Sequence, residues 1–320
     1  MRLSLNKKLI LLLIILIFVI LLGITKGSVD IPLAKLLAAS NKGILLLRLS
    51  RIMLAIIAGS GLAVSGIALQ ATLRNPLAEP YILGTSSGAG LGAVAIIILG
   101  FSPVFMPISA FIGAGIAMIL VYNLARQGNK VPVQSLILSG VIVSIALSGI
   151  LVFIVSVSSN EALHGLMWWL WGSLQVYDLR LLLTVGIITL AGLIAIFMLS
   201  QDLNAISIGE EEAIHLGINA EAVKKIVFFI TSLITAGLVS TCGVIGFVGL
   251  IIPHIMRLVV GPNHKILIPA SCLAGAIFMI ICDLISRTAM QTVEIPIGVI
   301  TAIIGAPVFI ILLKSKQKVR

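Results

Sequence analysis

The chain has 320 residues, of which 60% are hydrophobic and 10% charged; its formal net charge is +10 and its mean hydropathy is +1.24. Soluble globular domains carry about 25% charged residues, so this composition excludes an ordinary soluble domain. The long apolar runs lack the alternation of a membrane β-barrel. The sequence therefore predicts an all-α polytopic membrane protein, with residues 1–320 forming a single domain.

Apolar runs of about 20 residues predict roughly ten transmembrane helices. The first run has no small-residue cleavage site, so it is interpreted as a retained span and not as a signal peptide. The eighth run is the weakest, because it is short and contains Pro253, His254 and Arg257. The predicted spans are residues 8–24, 50–72, 82–100, 107–125, 131–156, 179–200, 223–243, 246–260, 266–286 and 295–313.

Basic residues predict the orientation of these spans. Arg2 and Lys7 precede the first span and Lys8 begins it, and Lys314 and Lys316 follow the last. Because cytoplasmic flanks are enriched in Lys and Arg, both termini are expected inside, which requires an even number of spans. The loop 201–222, between spans six and seven, is then cytoplasmic.

Four arginines and three lysines are exceptions to this pattern. They fall on the predicted outer side, where we expect their long side chains to extend to the membrane surface: Arg48, Arg51, Arg180, Arg287, Lys26, Lys35 and Lys42. Asp283 precedes Arg287 by four residues, in the order that favours an ion pair on one helix face.

The turn between spans two and three is a candidate edge of a transport pathway. In RNPLAEP, Pro76 and Pro80 cannot continue a regular helix. Irregular backbone at membrane depth is tolerated where it lines a cavity or is buried in protein, so Asn75 and Pro76 are candidates to line a pathway. Beyond the turn, Gly84, Gly88 and Gly92 recur every four residues, which predicts close helix packing.

The region between spans five and six contains all three tryptophans, in EALHGLMWWLWG. Tryptophan is enriched at the membrane–water interface, where an amphipathic helix can lie flat. We therefore expect a short helix in the outer interface, while a cluster that contacts substrate is the alternative.

The stretch SIGEEEAIHLG, residues 207–217, is unusually acidic for this chain, and we call it the glutamate segment. Ser207 and Glu210 fit a capping box, and the glutamates of the first turn favour a helix start. Gly217 can end the helix. Ala213, Ile214 and Leu216 give it an apolar side. The pattern predicts a docking helix for a cytoplasmic subunit, and a solvated loop is the alternative.

Several motifs are missing from the sequence. It contains no G-x-x-x-x-G-K-[ST] and no H-E-x-x-H, and its four histidines are scattered. We predict no catalytic residues, no metal site and no cofactor bound by this chain. A transporter without a nucleotide site would need energy from a partner. An ion-coupled secondary transporter that depends on Asp283 is the alternative, and a membrane-embedded enzyme is less favoured.

Longer motifs resemble the FecCD or BtuC-like family, the transmembrane subunits of type II ABC importers. These motifs are RLSRIMLAIIAGSGLAVSGIALQATLRNPLAEPYILGTSSGAGLGA, WLWGSL, GEEEAIHLGI, GFVGLIIPHIMRLVVGPNHKILIPAS and EIPIGVITAIIGAPVFIILL. The resemblance runs from about Arg48 to Leu313. The chain departs from it at Ser50, where proline is usual, and at residues 175–177, where small residues are usual.

The resemblance implies partners and roles. Two such permease subunits, identical or related, would surround a central pathway in the cytoplasmic membrane of a prokaryote. Two ATP-binding subunits would bind ATP and Mg beneath them, and an extracytoplasmic protein would deliver an iron chelate, with cobalamin or haem as the alternatives. The positions implied for docking of the binding protein are Arg48, Arg51 and Arg287. Those implied for coupling to the ATPase are Ser207, Gly209, Glu210, Glu211, Glu212, Ala213, Leu216 and Gly217. Those implied for the pathway are Ser139, Ser144 and Ser148.

The predicted topology can be tested with single cysteines at Asn6 and Gln317, in a protein lacking the three native cysteines. If both termini are cytoplasmic, an impermeant thiol reagent should label them only after the membrane is opened. Labelling of either terminus in intact cells would contradict the ten-span arrangement.

Overall fold

The structure is a computed structural model that describes residues 5–27, 41–128, 130–158, 160–176, 178–290 and 293–317; Tyr177 lies outside these ranges. In these ranges the chain is helical, with 3₁₀ turns at Pro80–Leu83 and Pro103–Phe105. The α-helices are α1 (Leu5–Thr25), α2 (Lys42–Thr72), α3 (Thr85–Ile98), α4 (Met106–Ala125), α5 (Val133–Ser156), α6 (Asn160–Leu170), α7 (Leu179–Met198), α8 (Ser200–Ile208), α9 (Glu210–His215), α10 (Ala220–Cys242), α11 (Val248–Val260), α12 (His264–Thr288) and α13 (Ile297–Gln317).

Each of the ten predicted spans corresponds to a helix. Seven helices in the described ranges are long and apolar enough to cross a membrane, and α3, α11 and the Ile297–Leu312 part of α13 are shorter apolar helices. The boundaries differ most at span two, because α2 begins at Lys42 and continues through Ser50. The prediction of an all-α bundle with about ten spans is confirmed.

α2 is the central helix of the bundle. It packs against α7, α10, α11 and α12, and 83% of the residues in its most apolar 18-residue stretch are buried. A side chain on Gly59 would overlap the carbonyl of Gly275 in α12, and one on Gly66 would overlap the carbonyl of Gly249 in α11. Small residues at these crossings let the backbones touch, and such packing replaces the hydrophobic effect inside a lipid bilayer.

The glycine stripe of α3 packs as predicted, with one exception. Gly88 and Gly92 lie against the backbone of Gly113 and Ser109 in α4, where a side chain would not fit. Gly84 instead precedes α3, with a φ of 75° in the left-handed region that glycine adopts readily.

The turn before α3 contacts the non-helical connection between α10 and α11 inside the bundle. The Glu79 carboxylate accepts the backbone N–H of Phe247 at 2.8 Å, and the Tyr81 hydroxyl accepts that of Ile245 at 3.2 Å. These bonds satisfy backbone N–H groups in the non-helical connection between α10 and α11, where no helical partner is available. The 13 residues of α11 span only about 20 Å, which explains the weak signal of the eighth predicted span.

The tryptophan region forms α6, as predicted, and its position in the interface stays a prediction. The rings of Trp168 and Trp171 lie 6.0 Å apart. The carbonyl of Trp171 accepts the N–H of Gly298 at 2.9 Å, and the carbonyl of Gly172 accepts that of Ile297 at 3.1 Å. The end of α6 is therefore fixed to the start of α13.

Candidate functional site

The antiparallel crossing of α2 and α12 brings together the arginine cluster, which consists of Arg48, Arg51, Asp283 and Arg287. The Nε and Nη2 atoms of Arg51 lie 3.0 and 2.9 Å from Oδ1 of Asp283. Nη2 of Arg287 lies 2.8 Å from Oδ2 of the same carboxylate. The predicted pair between Asp283 and Arg287 is confirmed, and Arg51 joins it from the neighbouring helix.

Arg48 and Arg287 also bind the last turn of α1. Nη1 of Arg48 donates to the carbonyls of Ile24 and Thr25, at 2.6 and 3.1 Å. Arg287 donates to the carbonyls of Gly23 and Lys26, each at 3.3 Å. The last carbonyls of a helix have no partner within the helix and carry partial negative charge, so the two guanidinium groups stabilise the end of α1.

The expectation that the three arginines are exposed is wrong. Arg48, Arg51 and Arg287 are only 7%, 8% and 5% exposed. The physical reason is that each guanidinium satisfies charges or carbonyls of its own chain, and a buried charge requires such partners. Their docking role stays a prediction. The three arginines differ in position, because Arg51 lines an open recess while Arg48 and Arg287 bind the end of α1.

The recess lies beside the arginine cluster and has a volume of about 130 Å³. Nη1 of Arg51 donates to both oxygens of Glu294, at 3.0 and 2.9 Å. Nε2 of Gln175 donates to Oε2 of Glu294 at 2.7 Å. The recess is lined by Arg51, Trp168, Gly172, Ser173, Gln175, Ser286 and residues 294–297.

The glutamate segment lies at the opposite end of the bundle, and its predicted capping box is wrong. Ser207 lies inside α8, where its hydroxyl donates to the carbonyl of Leu203 at 2.7 Å. Gly209, in extended conformation, is the residue that precedes α9, and no side chain caps this helix. The helical backbone at Ser207 therefore leaves its hydroxyl unable to cap α9.

The glutamates occupy the first turn of α9, as predicted, and they differ in their contacts. Glu210 pairs with Lys224 of α10 at 3.0 Å, and Lys224 also pairs with Glu221. Glu211 and Glu212 are exposed. One glutamate thus attaches α9 to α10, and two present negative charge to the surroundings.

Gly217 ends α9, as predicted. Its φ is 80°, in the left-handed region. Its N–H donates to the carbonyl of Ile214, and the N–H of Ile218 donates to that of Ala213, at 2.9 and 3.0 Å. These are the two bonds of a Schellman motif, which satisfies the last carbonyls of a helix.

The apolar side of the glutamate segment differs from the prediction. Ala213 is fully buried against its own subunit, so it cannot contact a partner. Ile214 and Leu216 are 62% and 68% exposed, and Ile208, the last residue of α8, is 68% exposed. We call Ile208, Ile214 and Leu216 the exposed apolar surface.

α8 connects this region to α12. The Asn204 side-chain oxygen accepts the backbone N–H of His264 at 2.9 Å and lies 2.7 Å from the His264 Nδ1 atom. Nδ2 of Asn204 donates to Asn263 at 3.2 Å. A displacement of α8 would therefore act directly on the first residue of α12.

The pathway candidates do not form one surface. Asn75 accepts the N–H of Leu77 at 2.9 Å, which stabilises the turn, and Pro76 is exposed. On α5, Ser139 is buried, Ser144 lies near Gly84, and the Ser148 hydroxyl lies 2.9 Å from that of Ser87 in α3. These serines face their own subunit, and their pathway role stays a prediction. The outward face of α5, which points away from the rest of its own subunit, carries exposed apolar side chains at Leu138, Val141, Ile142, Ile145, Ile150, Val152 and Phe153.

Sequence reasoning missed Lys224, Asn204 and Glu294. The Glu221–Lys224 pair had a local signal, because the two residues are one helical turn apart. Glu294 meets Arg51 across 243 positions of the chain, and no local pattern indicates that contact. In the described ranges, no three His, Cys, Asp or Glu side chains are arranged to hold a metal ion.

Comparisons with known proteins agree over nearly the whole chain. The model of the FecCD transport family matches residues 13–315. The cobalamin import permease BtuC of Halobacterium salinarum is 40% identical over 280 residues, which cover 85% of this chain and 73% of that protein. The Fe(3+)-citrate import permease YfmE of Bacillus subtilis is 41% identical over 276 residues, or 85% and 81% of the two chains.

A solved structure shows the same fold. It is described as the inward-facing conformation of a provisionally assigned metal-chelate type ABC transporter. The TM-score is 0.88 at 33% identity, over 97% of this chain and 99% of that one.

The arginine cluster predicts a large effect of Asp283→Asn. The change would leave Arg51 and Arg287 as like charges without the buried carboxylate between them, and breaking a buried ion pair costs about 3–5 kcal/mol. Thermal unfolding in detergent should show a strongly destabilised protein. The control Asp202→Asn, on partly exposed α8, should unfold near the wild-type temperature. Equal unfolding temperatures for both variants would contradict a stabilising role of Asp283.

Proposed function

We propose that this chain, which belongs to the FecCD transport family of ABC importer permeases, carries an iron chelate across the cytoplasmic membrane. Family membership favours ATP-driven import over the ion-coupled alternative. The buried position of Asp283 between two arginines supports the same choice, because a carboxylate in that position is committed to structural ion pairs.

The observation that carries the choice of substrate class is the outward face of α5. In the family this span lines the pathway, and here the face consists of Leu, Ile, Val and Phe while the serines of α5 turn inward. Such a surface supplies no oxygen ligands to replace the hydration of a bare metal ion, which takes carboxylate or carbonyl ligands in proteins. A chelate keeps its metal ligated throughout passage, so an apolar wall is compatible with it. The similarity to YfmE supports ferric citrate or a related ferric chelate.

Cobalamin is the second candidate, because the halobacterial BtuC is about as similar as YfmE. Its cobalt is held in a corrin ring, and the iron of haem is held by the four nitrogens of a porphyrin. Neither metal depends on oxygen ligands from the pathway, so the same wall suits all three. Selection among them would then rest mainly on the binding protein.

The substrate can be tested with the binding protein of the same importer, titrated with ferric citrate, a ferric hydroxamate, cobalamin and haemin. The expected result is submicromolar binding of a ferric chelate (about −8 kcal/mol or stronger) and ATP-dependent uptake of ⁵⁵Fe in proteoliposomes containing the full complex. Uptake of cobalamin or haemin without iron-chelate uptake would replace the proposal. Uptake independent of ATP would reject the importer mechanism.

The partners proposed for this chain are two ATP-binding subunits, a second permease subunit and an extracytoplasmic binding protein. The exposed apolar surface supports the first of these. Three large apolar side chains stand beside Glu211 and Glu212 on a connection between helices, a combination that suits a protein groove with an apolar floor and basic rim. ATP and Mg would be bound by that partner. Its movements would reach this chain through α9 and α8.

Leu216→Asp tests the coupling surface. Leu216 is exposed, so the change should leave the isolated permease folded, but it places a charge where the partner groove is apolar. We expect co-purified ATPase and transport to fall by more than about tenfold, as for a central contact of an interface.

The matched control is Gln201→Asp, which adds the same charge at an exposed position of α8 without removing an apolar side chain. It should retain ATPase and transport. Ala213→Arg should instead destabilise the permease itself, because Ala213 is buried. Normal ATPase binding by a folded Leu216→Asp protein would show that the exposed apolar surface is not the coupling site.

A further inference from the structure

Arg51 lines the recess, and Glu294 is bound to it there. Its Nε and Nη2 atoms face Asp283, and its Nη1 atom faces both oxygens of Glu294. A guanidinium offers five N–H donors, and four of them are used in these contacts. With one N–H left, a carboxylate from a partner protein could form a bidentate pair with Arg51 only by taking the place of one of the two internal carboxylates.

The two internal carboxylates differ in what their release would cost. Asp283 is fully buried and shared with Arg287, so its release would leave an unpaired charge inside the protein. The Glu294 side chain is 35% exposed, so water can hydrate it after release. Glu294 is thus the ligand of Arg51 that can be exchanged.

The surroundings of Glu294 suit such an exchange. Gln175 donates to Oε2 of Glu294 and would still hold the carboxylate at the rim after it leaves Arg51. The adjacent backbone is fixed separately, because Ser286 and Ile295 exchange two hydrogen bonds, at 2.6 and 3.2 Å. Arg51 itself stays anchored by Asp283. Only one side chain therefore needs to move, and the recess beside it has room for an incoming acidic side chain.

We propose that Glu294 is a built-in carboxylate that covers Arg51 in the free permease, and that an acidic side chain of the binding protein replaces it there on docking. This inference rests on the proposed function. It identifies Arg51 as the docking arginine of the cluster, since Arg48 and Arg287 are bound to the end of α1. It also adds selectivity, because a surface without a carboxylate cannot replace Glu294 on Arg51.

The test compares Glu294→Gln with Asp178→Asn. Both remove one negative charge from the end of the bundle that holds the arginine cluster, and Asn keeps the cap that Asp178 provides to Arg180 at the start of α7. Each permease, assembled with its ATP-binding subunits in nanodiscs, is titrated with the binding protein of the same importer. Glu294→Gln should bind about tenfold more tightly than wild type. Asp178→Asn should stay within about twofold of wild type, as expected for an exposed charge.

Equal tightening by both variants would show that the loss of any negative charge at this end of the bundle strengthens binding, and would overturn the proposed exchange. Unchanged or weaker binding by Glu294→Gln would also overturn it. A second measurement does not depend on the binding protein: the rate at which phenylglyoxal modifies Arg51, followed by mass spectrometry. This rate should rise several-fold in Glu294→Gln and not in Asp178→Asn, and equal rates would overturn the proposal. If no permease binds the binding protein while the Arg51 rates differ as expected, the proposed docking fails and the covering role of Glu294 stands.

Discussion

The antiparallel contact between α2 and α12 is the constraint on which the rest of the structure depends. At Gly59 and Gly275 the two backbones touch, and a methyl group at either position would overlap the other helix. Within a bilayer, apolar side chains gain little by leaving lipid, so contact of this kind supplies the packing energy. It also fixes the register of the two helices. Every charge on one helix consequently has a defined opposite position on the other.

That register explains the arginine cluster. With Gly59 opposite Gly275, Arg51 lies opposite Asp283, and Arg287 follows one turn later on α12. In an apolar environment an arginine must be paired or bound to carbonyls, and α1 supplies the carbonyls at its last turn. The cluster therefore joins three helices at one end of the bundle. The same contacts that bury its arginines leave Glu294 as the partly exposed partner of Arg51.

Sequence reasoning was reliable where the signal is local. Hydropathy found each span, the spacing of Asp283 and Arg287 gave their pair, and Gly217 marked the end of α9. It failed where tertiary structure decides. Ser207 followed by Glu210 fits a capping box only if the helix starts there, but α8 continues to Ile208 and the chain bends at Gly209. A six-residue helix is also too short for its pattern to show which side is buried, so Ala213 and Leu216 were placed together although packing separates them.

α12 connects the two ends of the molecule. Its first residue bonds to Asn204 beside the glutamate segment, and its last turns carry Asp283 and Arg287. A helix of 25 residues is about 37 Å long, enough to cross the apolar layer of a membrane. Because α12 is held by α2 along its length, it would move with α2 as one body. A partner that shifts α8 and a partner that exchanges Glu294 on Arg51 would therefore act on the same pair of helices from opposite ends.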